Sequence, residues 1–347
     1  PEFGAGGNTF NDVFGRTRNP WDVSKNAGGS SGGAAVSLAT GEVWLSHGSD
    51  LAGSVRTPAA YCGIVGMRPS PGRAGGGPGP MGFHTEGVQG PMARSVLDCA
   101  LFMDAMSGFD PRSPISYPAP PQAFFDTTLR PAKAFRIGYS ATLNGFGTIT
   151  PQIDNILRGA LNVVASNGAH VEDHCPDLTG LDETYRVLRA MLWAALPGRA
   201  PDFITKNFKA TLQANIDYGR NLSIDDVYDT QLNRSTIYDN MLGFFERFDV
   251  FACPVVGIEA GPVEEEYPVI GDNVCGTDYI EWLRYSFLST TTGLPSMSVP
   301  VGFTKSGMPV GIQLIGKPRG ETELFQIARA IGIEMGGPIG PLDPIKK

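Results

Sequence analysis

Two serine-centred glycine motifs, 24 positions apart, constrain the fold of this 347-residue chain more than any other feature. The first is GGSSGG at residues 28–33, and the second is GSDLAGSVR at residues 48–56. Between them, small residues at 34–39 indicate a helix that ends before Gly41, and residues 43–45 indicate a buried strand. Glycine permits tight turns and close backbone approach. We therefore predict that both serines lie at the ends of one compact helix and strand unit, with their hydroxyls within hydrogen-bonding distance.

A serine hydroxyl is a weak nucleophile, so it needs a base and N–H donors for the developing oxyanion. Residues 29–33 also fit the G-x-S-x-G nucleophile elbow, which would make Ser31 the nucleophile of a histidine-based triad. Such enzymes place the catalytic histidine late in the chain, but here 173 residues follow the last histidine, His174. A serine catalyst in this chain therefore requires another base, and a neutral lysine is the natural candidate. The alternative is a flexible Gly-Ser linker, and the apolar framework around both motifs argues against it.

The rest of the chain alternates strand and helix patterns, which indicates an α/β architecture. No internal repeat or interdomain linker is present. A capping box at 95–98 predicts a helix whose apolar side consists of Leu97, Leu101, Phe102 and Met106. A second helix is predicted to start at Thr150 and Pro151 and to stop at Gly168, and a third spans 321–335. The predicted strands are 136–139, 169–172, 250–253, 296–301 and 310–315.

Charge and composition exclude several classes of function. The chain has 35 acidic and 27 basic residues and no Lys/Arg run that could follow a phosphate backbone, so nucleic acid is not expected as a partner. No stretch approaches the ~18 to 20 apolar residues of a membrane helix. Five scattered cysteines without a CxxC pair favour free thiols in the cytoplasm: Cys62, Cys99, Cys175, Cys253 and Cys275. The chain opens at Pro1 without a methionine, so we expect it to come from a longer protein.

Residues 28–68, GGSSGGAAVSLATGEVWLSHGSDLAGSVRTPAAYCGIVGMR, closely resemble the signature of the amidase-signature family of serine hydrolases. The likeness is dense to about residue 108 and thin from 112 to 285. It includes PEFG at 1–4, NDVFGRTRNPW at 11–21, GVQGPMARS at 87–95, TGLP at 292–295 and GIQLIG at 311–316. The resemblance implies hydrolysis of an amide or carbamate C–N bond without a cofactor or metal. It also implies a mixed, twisted central β-sheet flanked by helices on both faces.

The resemblance carries over position by position. Ser54 matches the acylating nucleophile, and Ser30 matches the bridging serine, whose peptide bond from Gly29 is cis in the family. The implied oxyanion hole consists of the backbone N–H groups of Leu51, Ala52, Gly53 and Ser54. The implied supporting residues are Ser31, Asp50 and Arg56. The family usually has Thr-Gly where Leu51-Ala52 stands here, so the N–H groups remain, but the backbone is less permissive and the cavity mouth more apolar.

The lysine that completes the family's triad lies well before the bridging serine, which places it upstream of Pro1. Lys25 is the only lysine near Ser30, and it occupies a loop position that varies in the family. We therefore expect an N-terminal segment, from the same protein or as a separate chain, to carry the lysine together with early helices and strands of the core. Residues 1–347 are then one amidase-signature domain, with a signature core at 1–108, a helix-rich substrate-cleft insertion at about 181–247, and a C-terminal sheet and helix at 248–335.

Two other functions fit parts of the sequence less well. The amidase-like subunit of a glutamine-dependent transfer-RNA amidotransferase usually continues with Tyr-Gly and Ser-Leu-Asp before a Gly-Pro, whereas this chain reads PSPGRAGGGP at 69–78 and EGVQGP at 86–91. A metal-dependent hydrolase could use His170 and His174. The pattern around them predicts a strand, on which residues four apart share a face but lie too far apart to chelate one ion.

The expected substrate is a small aryl or hydrophobic amide or carbamate, since DLAGS at 50–54 is similar to the corresponding segment of aryl-acylamidases, urethanases and nylon-oligomer hydrolases. Aromatic and apolar residues that could line a cleft, or else belong to the core, are Met191, Trp193, Phe203, Phe208, Tyr218, Trp282 and Tyr285. No pattern in the sequence indicates an oligomeric state.

Overall fold

The computed structural model describes residues 1–77, 79–268 and 279–344. The strands in these ranges are β1 Phe10–Asn11, β2 Gly15–Arg16, β3 Leu45–Asp50, β4 Val65–Arg68, β5 Val88–Ala93, β6 Arg136–Tyr139, β7 His170–Asp173, β8 Val250–Pro254, β9 Ser296–Phe303 and β10 Pro309–Gly316. The helices are α1 Gly32–Ala39, α2 Arg56–Cys62, α3 Val96–Met106, α4 Phe124–Thr128, α5 Pro151–Ser166, α6 Leu181–Ala195, α7 Asp202–Thr205, α8 Ala210–Arg220, α9 Ile224–Phe245, α10 Phe287–Thr292 and α11 Glu321–Glu334.

Strands β3 to β10 form one sheet in the order β3-β5-β4-β9-β10-β8-β6-β7. Neighbours are antiparallel except for β6, which is parallel to both β7 and β8. Successive residues of a strand point to opposite faces, and in β8 Val250 and Ala252 enter a core with helices α3, α5 and α11. Phe251 and Cys253 enter a second core with α6 and α9. The predicted mixed sheet with helices on both faces is therefore confirmed.

Helix α5 follows the rules from which it was predicted. The Thr150 hydroxyl caps it by accepting a hydrogen bond from the Ile153 N–H, and Pro151 occupies the first turn, where its missing N–H has no cost. The buried residues Ile153, Leu157, Leu161 and Val164 form its apolar face. The segment 181–247, predicted to be helix-rich, holds α6 to α9 and lies between β7 and β8.

The strand predicted at 43–45 is wrong in its position. Val43 and Trp44 are 37% and 81% exposed, and the strand runs instead from Leu45 to Asp50, directly into the second serine motif. β3 lies at the edge of the sheet and pairs only with β5 among the described strands. The exposed positions of β3 include His47 and Ser49, and its buried positions include Gly48 and Asp50, so apolar alternation does not locate the strand.

Helix α3 shows half of the predicted capping box: the Ser95 hydroxyl accepts from the Asp98 N–H at 3.0 Å, and the Asp98 carboxylate accepts from the Ser95 hydroxyl at 2.6 Å. Its predicted apolar side is wrong. The residues it buries are Val96, Cys99, Ala100 and Met103, whereas Leu101 is 46% exposed. Small side chains at Cys99 and Ala100 allow the helix to approach β5 closely, and spacing alone does not tell which of two adjacent stripes faces the sheet.

Four described cysteines carry free thiols, namely Cys62, Cys99, Cys175 and Cys253, while Cys275 lies outside the described residues. Across the described ranges, no helix combines the length and the hydropathy required to cross a bilayer.

Candidate active site

The loop that carries Ser54 connects the end of β3 to the start of α2. Gly53 turns the chain with a φ of +84°. A methyl group on Gly53 would lie 2.9 Å from Thr57 Oγ1 and 3.0 Å from Ser286 Cβ, so the turn requires glycine for both conformation and space. Ser54 is 7% exposed. The edge strand β3 therefore leads into a tight, nearly enclosed turn that holds Ser54.

The loop that carries Ser30 precedes α1. The Gly29–Ser30 peptide bond is cis, as the resemblance implies. The Thr9 side chain fixes this loop by hydrogen bonds. Its hydroxyl lies 2.9 Å from the carbonyl oxygen of Gly28 and 3.1 Å from that of Ser30, and it accepts a hydrogen bond from the Gly32 N–H at 3.1 Å. The loop is thus fixed on both sides of the cis bond.

The two serine loops meet through Ser31. Its backbone N–H donates to the carbonyl oxygen of Ser54 at 3.1 Å, and its hydroxyl lies 3.4 Å from the carbonyl oxygen of Ser49. Gly48 makes the approach feasible, because a methyl group there would collide with the Ser31 side chain. Within the described residues the Ser30 and Ser54 hydroxyls form no hydrogen bond with each other. The expected proximity of the motifs is present, whereas the expected direct link between the hydroxyls is not.

Gly4, near the start of this chain, lies beside Ser30. A methyl group placed on Gly4 would be 3.4 Å from the Ser30 hydroxyl oxygen and 3.9 Å from that of Ser49. Ser30 is half-buried. Residues 2–4 therefore form one wall next to the candidate relay.

Asp50 is the electrostatic centre of the Ser54 loop. Its carboxylate is completely buried and accepts hydrogen bonds from the Arg56 Nε at 3.0 Å and Nη2 at 2.7 Å, with the Arg68 Nη1 at 3.4 Å. The same carboxylate accepts from the backbone N–H groups of Gly53 at 3.1 Å and Val55 at 3.2 Å. Burial alone would raise the pKa of Asp50, but the two arginines and these hydrogen bonds hold it well below its usual range.

Arg56 links this loop to the C-terminal part of the chain. Its Nη1 donates to the Ser289 hydroxyl at 2.9 Å and to the amide oxygen of Gln313 on β10. The Gln313 side-chain nitrogen in turn donates to the carbonyl oxygen of Tyr285 at 2.7 Å. A fully buried guanidinium thus ties the loop to α10 and to the middle of the sheet.

The backbone N–H groups around Ser54 divide into two kinds. The Gly53 N–H is engaged by the Asp50 carboxylate. The N–H groups of Leu51, Ala52 and Ser54 have no acceptor among the described residues. Three of the four N–H groups expected at the oxyanion hole are therefore available to a ligand, and the fourth anchors the loop.

The residues considered for a substrate cleft lie in different parts of the structure. Trp193 and Phe208 share a cluster with Leu51 and Ala5, next to the Ser54 loop. Trp282 and Tyr285 belong to the second core, and Phe203 is 68% exposed. Met191 is partly buried on α6, and Tyr218 lines a cavity of about 400 Å³ that is bordered by α6 and α8.

His170 and His174 take part in different contacts. The Nε2 of His170 lies 3.6 Å from a Glu172 carboxylate oxygen at the surface. The ring of His174 stacks on those of Phe244 and Phe248, with centroids 5.8 and 5.2 Å apart. Within the described ranges, no group of three or more His, Cys, Asp or Glu side chains is arranged to hold a metal ion. The backbone of Lys25 forms an isolated bridge with Pro262.

Sequence reasoning misses several residues that hold the site. Thr9 supports the Ser30 loop, and Thr290 and Tyr185 contact the carbonyl oxygen of Leu51 at 2.7 and 3.4 Å. Arg68 closes the signature motif, yet its contact with Asp50 is not evident from the sequence. Helix α10 reads FLSTTT, with a polar residue at each of positions 289 to 292, so the sequence does not single out Thr290. For Thr9 and Tyr185 the sequence offers no signal either.

The chain is similar to proteins of the amidase family over most of its length. The profile of the Amidase family matches residues 1–325. A putative amidase of Synechocystis sp. is 31% identical over 328 residues, which cover 92% of this chain and 62% of that protein. A glutamyl-tRNA(Gln) amidotransferase subunit of Moorella thermoacetica is 32% identical, with 95% of this chain and 71% of that protein covered. The chain thus spans between three fifths and three quarters of the length of these relatives.

The crystal structure of a bacterial aryl acylamidase of the amidase-signature family superimposes with a TM-score of 0.87 at 29% sequence identity. The superposition covers 96% of this chain and 71% of that one. The sheet and the helices on both of its faces are therefore shared with a solved structure over nearly all of this chain.

Proposed function

The chain belongs to the amidase family, and from this membership we propose that it hydrolyses an amide-type C–N bond through an acyl-enzyme on Ser54. One observation carries the proposal: the Ser54 loop has three backbone N–H groups that have no acceptor among the described residues. The same loop contacts the Gly29–Ser30 loop through the hydrogen bond from the Ser31 N–H to the Ser54 carbonyl oxygen. This is the combination that acyl transfer needs, namely a nucleophile and donors that stabilise an oxyanion.

In the proposed mechanism, Ser54 Oγ attacks the substrate carbonyl carbon and its proton passes to Ser30, which hands its own proton to a neutral lysine. The carbonyl oxygen, now negative, binds the N–H groups beside Ser54. When the tetrahedral intermediate collapses, the C–N bond breaks and the relay returns a proton to the leaving nitrogen. Water then attacks the ester carbon by the same route and releases the acid. Hydrogen bonds between catalytic groups often tighten only with substrate bound, so the separate hydroxyls of the free site are compatible with this relay.

We assign the base to a lysine from outside these 347 residues, carried by an N-terminal segment of the same protein or by a separate chain. The family resemblance supports this assignment, and so does the length of the relatives, of which this chain covers 62% to 71%. Lys25 is not proposed for the role.

We propose aryl or hydrophobic amides and carbamates as substrates. Leu51 lies at the oxyanion loop and packs with Trp193 and Phe208, so the surface beside Ser54 is apolar and aromatic. Such a surface favours an acyl or aryl group over a charged one. The likeness to a bacterial aryl acylamidase supports the same class.

The test is Ser54→Ala in the intact protein, assayed with anilides, carbamates and short aliphatic amides. We expect turnover to fall to the background rate while the thermal unfolding midpoint stays within a few degrees of the parent. Ser166→Ala, at a serine on α5 whose hydroxyl donates to the Asn162 carbonyl oxygen, serves as the control and should keep full activity. Full activity of the Ser54→Ala variant on every substrate would refute the proposal.

A second candidate is the amidase-like component of a glutamine-dependent amidotransferase, which the 32% identity to the Moorella protein favours. That role predicts release of ammonia from glutamine only in the presence of partner subunits. Hydrolysis of anilides or carbamates without a partner favours the first candidate.

We further propose the cytoplasm as the location. Cys62, Cys99 and Cys253 are buried free thiols, which suits a reducing compartment.

A further inference from the structure

The peptide groups that present the free N–H donors are held by their carbonyl oxygens. The Asp50 carbonyl accepts from Arg68 Nη1, the Leu51 carbonyl from the Thr290 hydroxyl at 2.7 Å, and the Gly53 carbonyl from the Thr57 N–H at 2.6 Å. A trans peptide is planar, so its N–H points away from its C=O. Each carbonyl contact therefore fixes the direction in which the next residue's N–H points.

The contact from Thr290 is made by a neutral side chain, and it concerns the peptide between Leu51 and Ala52. Thr290 is fully buried on α10. Its hydroxyl has a single proton, and the Leu51 carbonyl at 2.7 Å is a better acceptor than the Ser286 carbonyl at 3.4 Å. The Thr290 proton thus goes to the Leu51 oxygen, which lies on the far side of the peptide from the Ala52 N–H.

A weaker second contact supports the same carbonyl. The Tyr185 hydroxyl lies 3.4 Å from the Leu51 oxygen and 3.4 Å from Arg189 Nη1, while its ring stacks on that of Phe287 with centroids 3.6 Å apart. Because both hydroxyl distances are long, this contact orients the peptide less strongly than Thr290 does.

We propose that Thr290 is a positioning residue for the oxyanion hole: its hydroxyl holds the Leu51–Ala52 peptide in the orientation that aims the Ala52 N–H at the developing oxyanion. This rests on the proposed function of Ser54. Thr290 touches neither substrate nor reacting atoms and acts only through the peptide.

The test compares Thr290→Val with Thr290→Ser in the intact protein, using an anilide as substrate. Valine keeps the shape of threonine and removes the hydroxyl, while serine keeps the hydroxyl. Loss of one oxyanion donor typically lowers kcat about 100- to 1000-fold, and misdirection of a donor that remains present should cost about 10- to 100-fold. We expect the valine variant to lose kcat by that factor with KM changed less than about threefold, since the ground-state carbonyl depends little on the donor.

The serine variant should retain kcat within about threefold of the parent. Unchanged kcat in the valine variant would overturn the proposal. A loss in the serine variant as large as that in the valine variant would also overturn it, because the serine variant retains the hydroxyl to which the proposal assigns the effect. If the valine variant does not fold, Thr290→Ala provides the same comparison, because it also lacks the hydroxyl and introduces no new atoms. An inactive Ser54→Ala variant together with a fully active Thr290→Val variant rejects this inference alone, whereas an active Ser54→Ala variant rejects the proposed function itself.

Discussion

At the scale of single residues, Gly53 shows how strongly the turn that holds Ser54 depends on its backbone conformation. Its φ of +84° is one that residues with a Cβ adopt at a cost of about 1 to 2 kcal/mol. The space for a Cβ is also closed, with Thr57 Oγ1 and Ser286 Cβ at 2.9 and 3.0 Å from its position. The residue next to Ser54 therefore has to be glycine for two independent reasons.

Gly53→Ala is expected to lower kcat/KM at least about tenfold and to destabilise the fold by about 1 to 3 kcal/mol, because the turn must shift both Ser54 and the donors beside it. Gly33→Ala is the matched control. Gly33 lies in α1, has no heavy atom within 4 Å of the added methyl and no positive φ, so alanine there should leave activity unchanged and raise stability by a few tenths to about 1 kcal/mol. Urea unfolding and anilide hydrolysis measure both effects, and equal behaviour of the two variants would contradict the argument.

The sequence reveals the residues of the site that lie close together along the chain. Asp50, Gly53 and Arg56 fall within seven positions, and the structure shows them in direct contact. Thr290 and Gln313 contact the same loop from 239 and 257 positions away. Local patterns do not contain such pairings, since any buried polar residue on α10 or β10 fits the sequence equally well until the sheet order is known.

At the scale of elements, helix α9 holds the loop before β5 against the end of α10. Arg234 on α9 donates to the Glu86 carboxylate at 2.9 Å, to the Thr85 hydroxyl at 2.6 Å and to the Thr291 carbonyl oxygen at 2.7 Å. Burial would raise the pKa of Glu86, but Arg234 and hydrogen bonds from the backbone together hold this pKa below the usual value. One side chain thus connects three segments, including the helix that carries Thr290.

Arg234→Met is expected to destabilise the protein by about 1 to 3 kcal/mol, because it leaves a nearly buried carboxylate and carbonyl without their donor. Arg247→Met removes an ion pair with Glu172 in which both side chains are largely exposed, and it should cost less than about 1 kcal/mol. Chemical denaturation of the two variants compares them directly. A cost for Arg234→Met no larger than that for Arg247→Met would show that the contacts of Arg234 do not stabilise the fold as argued.

Elements with complete apolar faces and end signals are predictable, and edge elements are not. Helix α5 has a Thr-Pro start and four buried positions at helical spacing, and the predicted and observed helices agree. Strand β3 carries the sequence LSHGSD, which has no apolar alternation because its buried positions at the end of the strand are Gly48 and Asp50. The antiparallel pairing of β3 with β5 in the structure therefore identifies the strand that leads to Ser54, whereas the sequence pattern does not.

At the scale of the whole molecule, buried charge makes the site resistant to moderate acid. The arginines at Asp50 outweigh its burial and lower its pKa, so its contribution to stability is fully present above the pKa of an unfolded aspartate, near 4. It is lost as the pH falls from there toward the depressed pKa of the folded state. The contribution of this carboxylate is thus constant at neutral and weakly acidic pH.

We expect the urea midpoint to change little between pH 7 and pH 5 on account of Asp50 and to fall steeply below about pH 4. Asp50→Asn should be less stable at pH 7, since it leaves Arg56 and Arg68 buried without a counter-charge, and its midpoint should fall less steeply in acid. Unfolding curves at pH 7, 5, 4 and 3 for both proteins test this. Parallel pH profiles of parent and variant would mean that other carboxylates dominate acid unfolding.

The support of the Ser54 loop by Ser289, Thr290 and Gln313 has a consequence during synthesis. Ser54, the proposed nucleophile, is translated more than 230 residues before the groups that hold its loop in place. The loop can therefore gain these contacts only after both halves of the sheet have left the ribosome. Until then, a nascent chain lacks the arrangement that the proposed activity of Ser54 requires.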